Sequence, residues 1–207
     1  YGVLQPRISI TSSSANAISF YGDATAGSAS NGWGTFLWGT NTSGILLAAT
    51  GAGGGISLDG YGRNVANGGG THLEPNAFVL AADGPIAIAG TKGAASTYES
   101  VVINSTVGFV SALPAGFDIS SPVTASSSDI SLTADSLSAN RIFGGGAFSG
   151  SAVQSSGTLS IATRSPGKAL SVQTSNPGGT GLWIDPTSGP QSSSMTMNFL
   201  SSRLLLR

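Results

Sequence analysis

Ile130-Ser131-Leu132, inside the stretch Asp129-Ile130-Ser131-Leu132-Thr133-Ala134, reads large-small-large, and the chain returns to that reading repeatedly. Ile8-Ser9-Ile10, Ile18-Ser19-Phe20, Ile56-Ser57-Leu58, Ile86-Ala87-Ile88 and Leu159-Ser160-Ile161 follow it, each flanked by Gly, Ser, Thr, Ala or Asn. Alternation of this kind sets two bulky side chains on one face of a strand and a small one on the other, the pattern of a half-buried strand. Degenerate copies of one strand-turn unit build a long surface rather than a single cleft, which favours a scaffold or contact role over catalysis.

Composition points the same way. The 207 residues include 31 Gly, 9 Pro and no Cys, and only 8% are charged, against roughly 25% in an ordinary soluble domain. With 40% hydrophobic residues and a positive mean hydropathy, the chain can bury a core, since disorder needs low hydrophobicity and high net charge. Gly, Ser, Thr and Asn dominate, and no long stretch has apolar residues at helical spacing, so almost no helix is expected. The longest apolar runs, residues 45–49 and 204–206, fall far short of the ~20 residues of a helical membrane span. Net charge is -1, and the basic residues Arg7, Arg63, Lys92, Arg141, Arg164, Lys168, Arg203 and Arg207 are scattered, so no nucleic-acid partner is expected.

Strands bounded by Gly, Pro, Asn and Ser centre near Ile10, Ile18, Leu37, Leu46, Ser57, Val79, Ala87, Val102, Phe109, Ile119, Ser131, Ile142, Ser160, Ser171, Trp183 and Thr196. Two or three of them would fill a turn of roughly 20 to 25 residues, and about nine turns would stack. The spacing also suits an antiparallel β-sandwich. The connectors, however, are low-complexity Gly, Ser, Ala and Thr (24–31, 51–55, 67–71, 126–128, 144–146) rather than the Asn-Gly or Asp-Gly of tight hairpins. Small side chains suit corners where rungs stack closely. The reading is therefore an all-β parallel solenoid spanning 1–207 as a single domain, with a β-sandwich as the alternative and residues 60–76 as an extruded loop. The chain starts at Tyr1 with no basic segment followed by an apolar one, so any signal peptide is expected to have been removed or to lie outside it. Neither end shows an obvious polar cap, so the stack is expected to continue in a longer parent chain or another subunit.

Gly84-Pro85-Ile86-Ala87-Ile88-Ala89-Gly90-Thr91, Asp129 to Ala134 with Ser136-Leu137-Ser138-Ala139, Gly55-Ile56-Ser57-Leu58-Asp59-Gly60 and Thr158-Leu159-Ser160-Ile161-Ala162-Thr163 follow a "G-x-I-x-L-x-A" style. That style resembles the repeats of filamentous haemagglutinin-type exoproteins, which leave the cell by two-partner secretion. The resemblance implies a right-handed parallel β-helix at a Gram-negative cell surface, passed through an outer-membrane transporter and contacting a protein or glycan receptor. Autotransporter passengers and some phage fibres share the style, so a phage or pilus fibre subunit is a further alternative. The Asn-rich motifs of that family's secretion domain are absent, and irregular spacing between Leu58 and Val79 departs from a strict repeat.

The residues that could carry chemistry are few. His72, the only His, lies in a polar Gly-rich stretch without a Gly-x-Ser-x-Gly elbow and reads as an ordinary surface residue. No metal, calcium or cofactor site is expected. Polysaccharide-cleaving enzymes on the same fold need converging carboxylates. Of Asp23, Asp59, Glu74, Asp83, Glu99, Asp118, Asp129, Asp135 and Asp185, only Asp129 and Asp135 are close in sequence, and most read as turn formers. The runs 51–55 and 144–146 lack the Lys-Ser/Thr of a phosphate loop. Asn41 and Asn104 fit the N-glycosylation pattern. Trp33, Phe36 and Trp38 are candidate ligand contacts, because flat rings cover apolar sugar or protein surface. Alternation points Phe36 and Trp38 one way and Leu37 the other, so at least one of the aromatics is expected in the core.

Overall fold

Parallel pairing follows directly from how the large-small-large units meet. The computed structural model describes residues 5–12, 14, 18–28, 30–39, 43–74, 77–108, 129–139, 153–172, 182–184 and 199–207. They form β1 (Gln5–Ser12), β2 (Ile18–Asp23), β3 (Thr35–Leu37), β4 (Ser43–Ala49), β5 (Ile56–Tyr61), β6 (Thr71–Leu73), β7 (Ala77–Ala81) and β8 (Ile86–Thr91). Then come β9 (Val101–Ile103), β10 (Thr106–Gly108), β11 (Ile130–Ala134), β12 (Leu137–Ala139), β13 (Val153–Ala162), β14 (Leu170–Val172), β15 (Leu182–Ile184) and β16 (Phe199–Leu206). No helix occurs among the described residues.

Through β12, each strand pairs with the one three places further on, giving the ladders β1-β4-β7-β10, β2-β5-β8-β11 and β3-β6-β9-β12. Strand β13 is long enough to pair with β10 near its start and β11 near its end, which joins the first two ladders into a ten-stranded sheet. Strand β16 lies on β13, and β14 pairs with β15. Every pairing is parallel, so hairpins of a sandwich do not describe these residues.

Five of the six tripeptides stack on one another. In the second ladder Ile18, Ile56, Ile86, Ile130 and Leu159 form one column and Phe20, Leu58, Ile88, Leu132 and Ile161 the next. The small middle residues Ser19, Ser57, Ala87, Ser131 and Ser160 alternate to the other face. Ile56 through Ile161 in both columns are buried, and full burial of one such side chain contributes roughly 1.5–3 kcal/mol. Ile8-Ser9-Ile10 does the same on the first ladder, Ile8 against Ile45 and Ile10 against Leu47. The step along the column runs from 29 residues, Ile130 to Leu159, to 45, Leu159 to Leu204. These rounds are longer than the 20–25 residues expected, because extended connectors separate the second and third strands of each early round.

The continuous apolar run 45–49 has its own cause. Leu47, Ala49, Val79 and Ala81 join the central core, while Leu46, Ala48, Phe78 and Leu80 on the opposite face are also buried. Strands covered on both faces read as unbroken hydrophobic segments rather than as alternation.

Close backbone packing explains the glycines at the corner between the second and third ladders. Gly22, Gly60 and Gly90 are in register, and a Cβ on each would lie 1.9, 2.3 and 2.1 Å from the carbonyl oxygens of Gly34, Gly70 and Ser100. Inside that corner the buried Thr35 hydroxyl donates to Asp59 O at 2.9 Å and the Thr71 hydroxyl to Ala89 O at 2.5 Å. These two buried hydroxyls therefore find backbone acceptors, as burial demands.

The connectors stack as well. The Asn67 side-chain amide donates to Asn31 Oδ1 at 2.8 Å, Gly93 N–H to Gly68 O at 2.8 Å, and Thr97 N–H to Ala66 O at 3.0 Å. The stretch 60–76 thus contains the end of β5 and all of β6, and its connector lies against those of neighbouring rounds. None of the expected centres falls within β6, β10, β12 or β16. The centres at Phe109, Ile119, Ile142 and Thr196, and the connectors 126–128 and 144–146, lie outside the described residues.

Candidate functional site: aromatic rings over a buried histidine

The third ladder presents its outward positions in register. Phe36, His72 and Val102 share one column, and strand alternation places Trp38, Glu74 and Asn104 two residues on, on the same side. The ladder bonding runs past the strand ends to hold them there: Glu74 N–H donates to Leu37 O at 2.8 Å and Asn104 N–H to Leu73 O at 2.7 Å. Leu37 turns inward against the core. Phe36 and Trp38 therefore face out, at 40% and 52% exposure, and Trp33 is half-buried against His72, so none of the three aromatics enters the core, where at least one was expected.

Trp33 and Tyr98 enter from the connectors before β3 and β9 and close over His72. Ring centroids lie 4.5 Å apart for Trp33–His72, 4.5 Å for Trp33–Tyr98, 5.2 Å for Trp33–Phe36 and 5.9 Å for His72–Tyr98, and Phe36 meets His72 edge-on at 5.3 Å. Gly69 makes room: a Cβ there would stand 2.1 Å from the Trp33 ring. His72 is consequently only 3% exposed, which corrects its reading as a surface residue. The rings that cover it come from other rounds and are distant in sequence.

Beneath the rings lies a fixed carboxylate. His72 Nε2 is 2.7 Å from Glu74 Oε1, off the line of a well-formed hydrogen bond. The Asn104 amide reaches Glu74 Oε2 at 3.5 Å. Contact with His72 holds the Glu74 carboxyl below its usual range, against the opposing effect of burial, and Asn104 adds to it. Asn104 Oδ1 and Ser105 Oγ are buried with no hydrogen-bonding protein partner among the described residues. Asn104 is 9% exposed, so its side-chain amide nitrogen, the atom a glycan would be joined to, donates toward Glu74 rather than facing solvent. Asn41 lies outside the described residues.

A second polar cluster covers the outer face of the second ladder. Arg164 Nη1 and Nη2 lie 2.5 and 3.0 Å from the two oxygens of Asp59. Nη2 also donates to the Tyr61 hydroxyl, and the guanidinium carbon sits 4.3 Å from the Tyr61 ring centre. Tyr21 packs beside Tyr61 at 5.7 Å.

The other acids bridge rounds or close turns. Asp83 accepts from Gly53 N–H at 2.5 Å and Asp129 from Thr158 N–H at 2.6 Å. Asp135 accepts from the N–H groups of Arg164 and Ser165 at 3.0 and 2.9 Å and from the Ser165 hydroxyl. Asp23 accepts from Thr25, and Glu99 lies 3.8 Å from Lys92. Asp129 and Asp135 thus flank opposite ends of β11 instead of converging. Asp118 and Asp185 lie outside the described residues.

Comparison with protein-family models, with curated proteins and with solved structures found no match. Sequence reasoning named Trp33, Phe36 and Trp38, weighed His72 and Glu74 without giving them a role in this cluster, and missed Tyr98. No local signal marked His72, Glu74 or Tyr98, since Thr71, His72 and Leu73 are all buried and Tyr98 reaches His72 from a separate connector.

Proposed function

We propose that this chain is a segment of a right-handed parallel β-helix, serving as the rigid stalk and contact surface of a secreted or surface-displayed bacterial exoprotein similar to the filamentous haemagglutinins. The observation that carries the reading is the three-strand period of β1 to β12, with large-small-large units in register from round to round. Such stacking extends a protein one rung of about 4.8 Å at a time. It gives each rung backbone partners on both sides and leaves the outward residues as the variable, contact-making set. The described acids favour the same reading over the polysaccharide-degrading alternative, because they are engaged in bonds within and between rounds. An outer-membrane transporter would pass the chain during export, and a protein or glycan receptor would meet it outside.

Two measurements test the proposal. Small-angle scattering should give an elongated particle with the cross-section of a β-helix; a spherical particle overturns the stalk. Beads coated with the chain should attach to cultured epithelial or bacterial cells above albumin-coated beads. Equal attachment overturns the contact role.

A further inference from the structure

We infer that the outer face of the third ladder is a saccharide subsite, in which Phe36 and Trp38 stack on the apolar faces of a neutral oligosaccharide and Glu74 accepts its hydroxyl groups. The inference rests on the reading of this chain as a contact surface and names the chemistry of what it contacts.

Glu74 is the decisive group. Its two oxygens have about four acceptor positions. His72 lies against Oε1 and the Asn104 amide reaches Oε2, so each oxygen has one protein neighbour while 23% of the side chain stays open to solvent. Positions left on both oxygens can take a pair of adjacent hydroxyls, and an ionised acceptor makes the stronger kind of hydrogen bond. The carboxylate is also immobilised before binding, which lowers the entropy cost of using it.

The rings supply the second half of saccharide chemistry. Trp38 stands one rung from Glu74 at the equivalent position, and Phe36 lies two residues before Trp38 on the same side. Tyr98, 39% exposed, extends the surface past Trp33. Exposed flat rings carry large contact area on few rotatable bonds. Trp33 packs between Phe36, Tyr98 and His72, and His72 braces Glu74, so both act as positioning residues.

Charge selects the ligand class. Glu74 is the acid set among the described rings; Arg63 packs along Gly32, on the connector side of Trp33, and Lys92 lies 3.8 Å from Glu99. An ionised Glu74 repels uronates and sialylated chains and leaves neutral hexose polymers favoured.

Titration of the full chain with cellohexaose and mannohexaose, with hexagalacturonate as the charged control, tests the inference by calorimetry and by the indole N–H resonances of its three Trp residues. Saturable binding of a neutral hexamer that shifts the Trp38 indole signal is expected, as is about tenfold weaker binding in Trp38→Ala and in Glu74→Gln. The wild-type indole shift does not depend on either variant folding. Preference for hexagalacturonate overturns the inference, and so does a neutral hexamer that leaves the Trp38 signal unmoved. Bead attachment to cells that Trp38→Ala abolishes, with no hexamer bound, overturns it in favour of a protein receptor and leaves the contact role standing. Failure of both hexamers and beads overturns the contact role itself.

Discussion

Arg164 grips both carboxylate oxygens of Asp59 although 105 residues separate them in sequence and two strands, β11 and β8, lie between their own strands in the sheet. The reach is open because the intervening outward residues are Ala89 and Thr133, in register with Asp59. One side chain thereby clasps four successive strands across their solvent face.

Removing that clasp should cost little but measurably. The pair is part-exposed, and exposed ion pairs contribute roughly 0.2–1 kcal/mol. The two-point contact and the Tyr61 ring place this one near the top of the range, about 1 kcal/mol. A double-mutant cycle of Arg164→Ala and Asp59→Ala, followed by urea unfolding, should give a coupling of that size that shrinks at high salt. Additive single effects would show that the two side chains do not act together.

The stacked columns should behave quite differently. Ile88 is 1% exposed between Leu58 and Leu132, so Ile88→Ala leaves a cavity in a column that cannot collapse without shifting two neighbouring strands. A loss of about 2–5 kcal/mol is expected. Ser131, one residue from Leu132 but on the outer face, should tolerate Ala within about 0.5 kcal/mol. Equal costs at the two positions would mean that the inward and outward assignments are wrong.

That contrast marks what could be read from the sequence. Period-two alternation is a local signal, and Ile56-Ser57-Leu58 or Ile130-Ser131-Leu132 display it without help from the rest of the chain. The tripeptides even announce their partners, since parallel in-register pairing sets like on like. Strand β6 gave no such signal, because Thr71, His72 and Leu73 are all buried and the middle residue is polar. His72 is buried by Trp33 and Tyr98 arriving from separate connectors, an arrangement that no window of sequence contains. Length of the rounds was hidden for a related reason: Gly-rich connectors such as 62–70 look like loops, and only their bonding to the next connector shows them to be stacked.

The glycine column offers a sharper test of that stacking. A Cβ at Gly60 would meet Gly70 O at 2.3 Å and Thr35 N at 2.7 Å, both backbone atoms that cannot swing aside. Gly60→Ala must therefore separate the second and third ladders, with a loss of more than about 2 kcal/mol. Gly53 has a φ of 69° but open space around it, so Gly53→Ala should cost only the left-handed backbone penalty of about 1 kcal/mol. Thermal melts of the two variants in the same buffer decide the matter. The reverse order, Gly53 costing more than Gly60, would remove close packing as the reason for the column.

Acid should loosen the molecule through carboxylates that hold rounds together. Burial alone would raise the Asp135 pKa, but the Ser165 hydroxyl and N–H, Lys168 and the Arg164 N–H outweigh it and hold the carboxyl below its ordinary value. Contact with His72 does the same for Glu74, and the Thr25 hydroxyl and N–H do so for Asp23. In the unfolded chain these groups titrate near their usual values, about 4. A carboxyl whose pKa is depressed by folding adds stability that is fully present above the unfolded value and disappears as pH falls through the folded one. Urea midpoints should thus be level between pH 7 and about 5, then drop steadily below about 4. Asp135→Asn keeps an acceptor oxygen for the two N–H groups but cannot ionise, so combining it with Glu74→Gln should lower the midpoint at neutral pH and flatten the acid slope. An unchanged slope in the double variant would move the acid sensitivity to other carboxylates and deny these two a part in holding the rounds together.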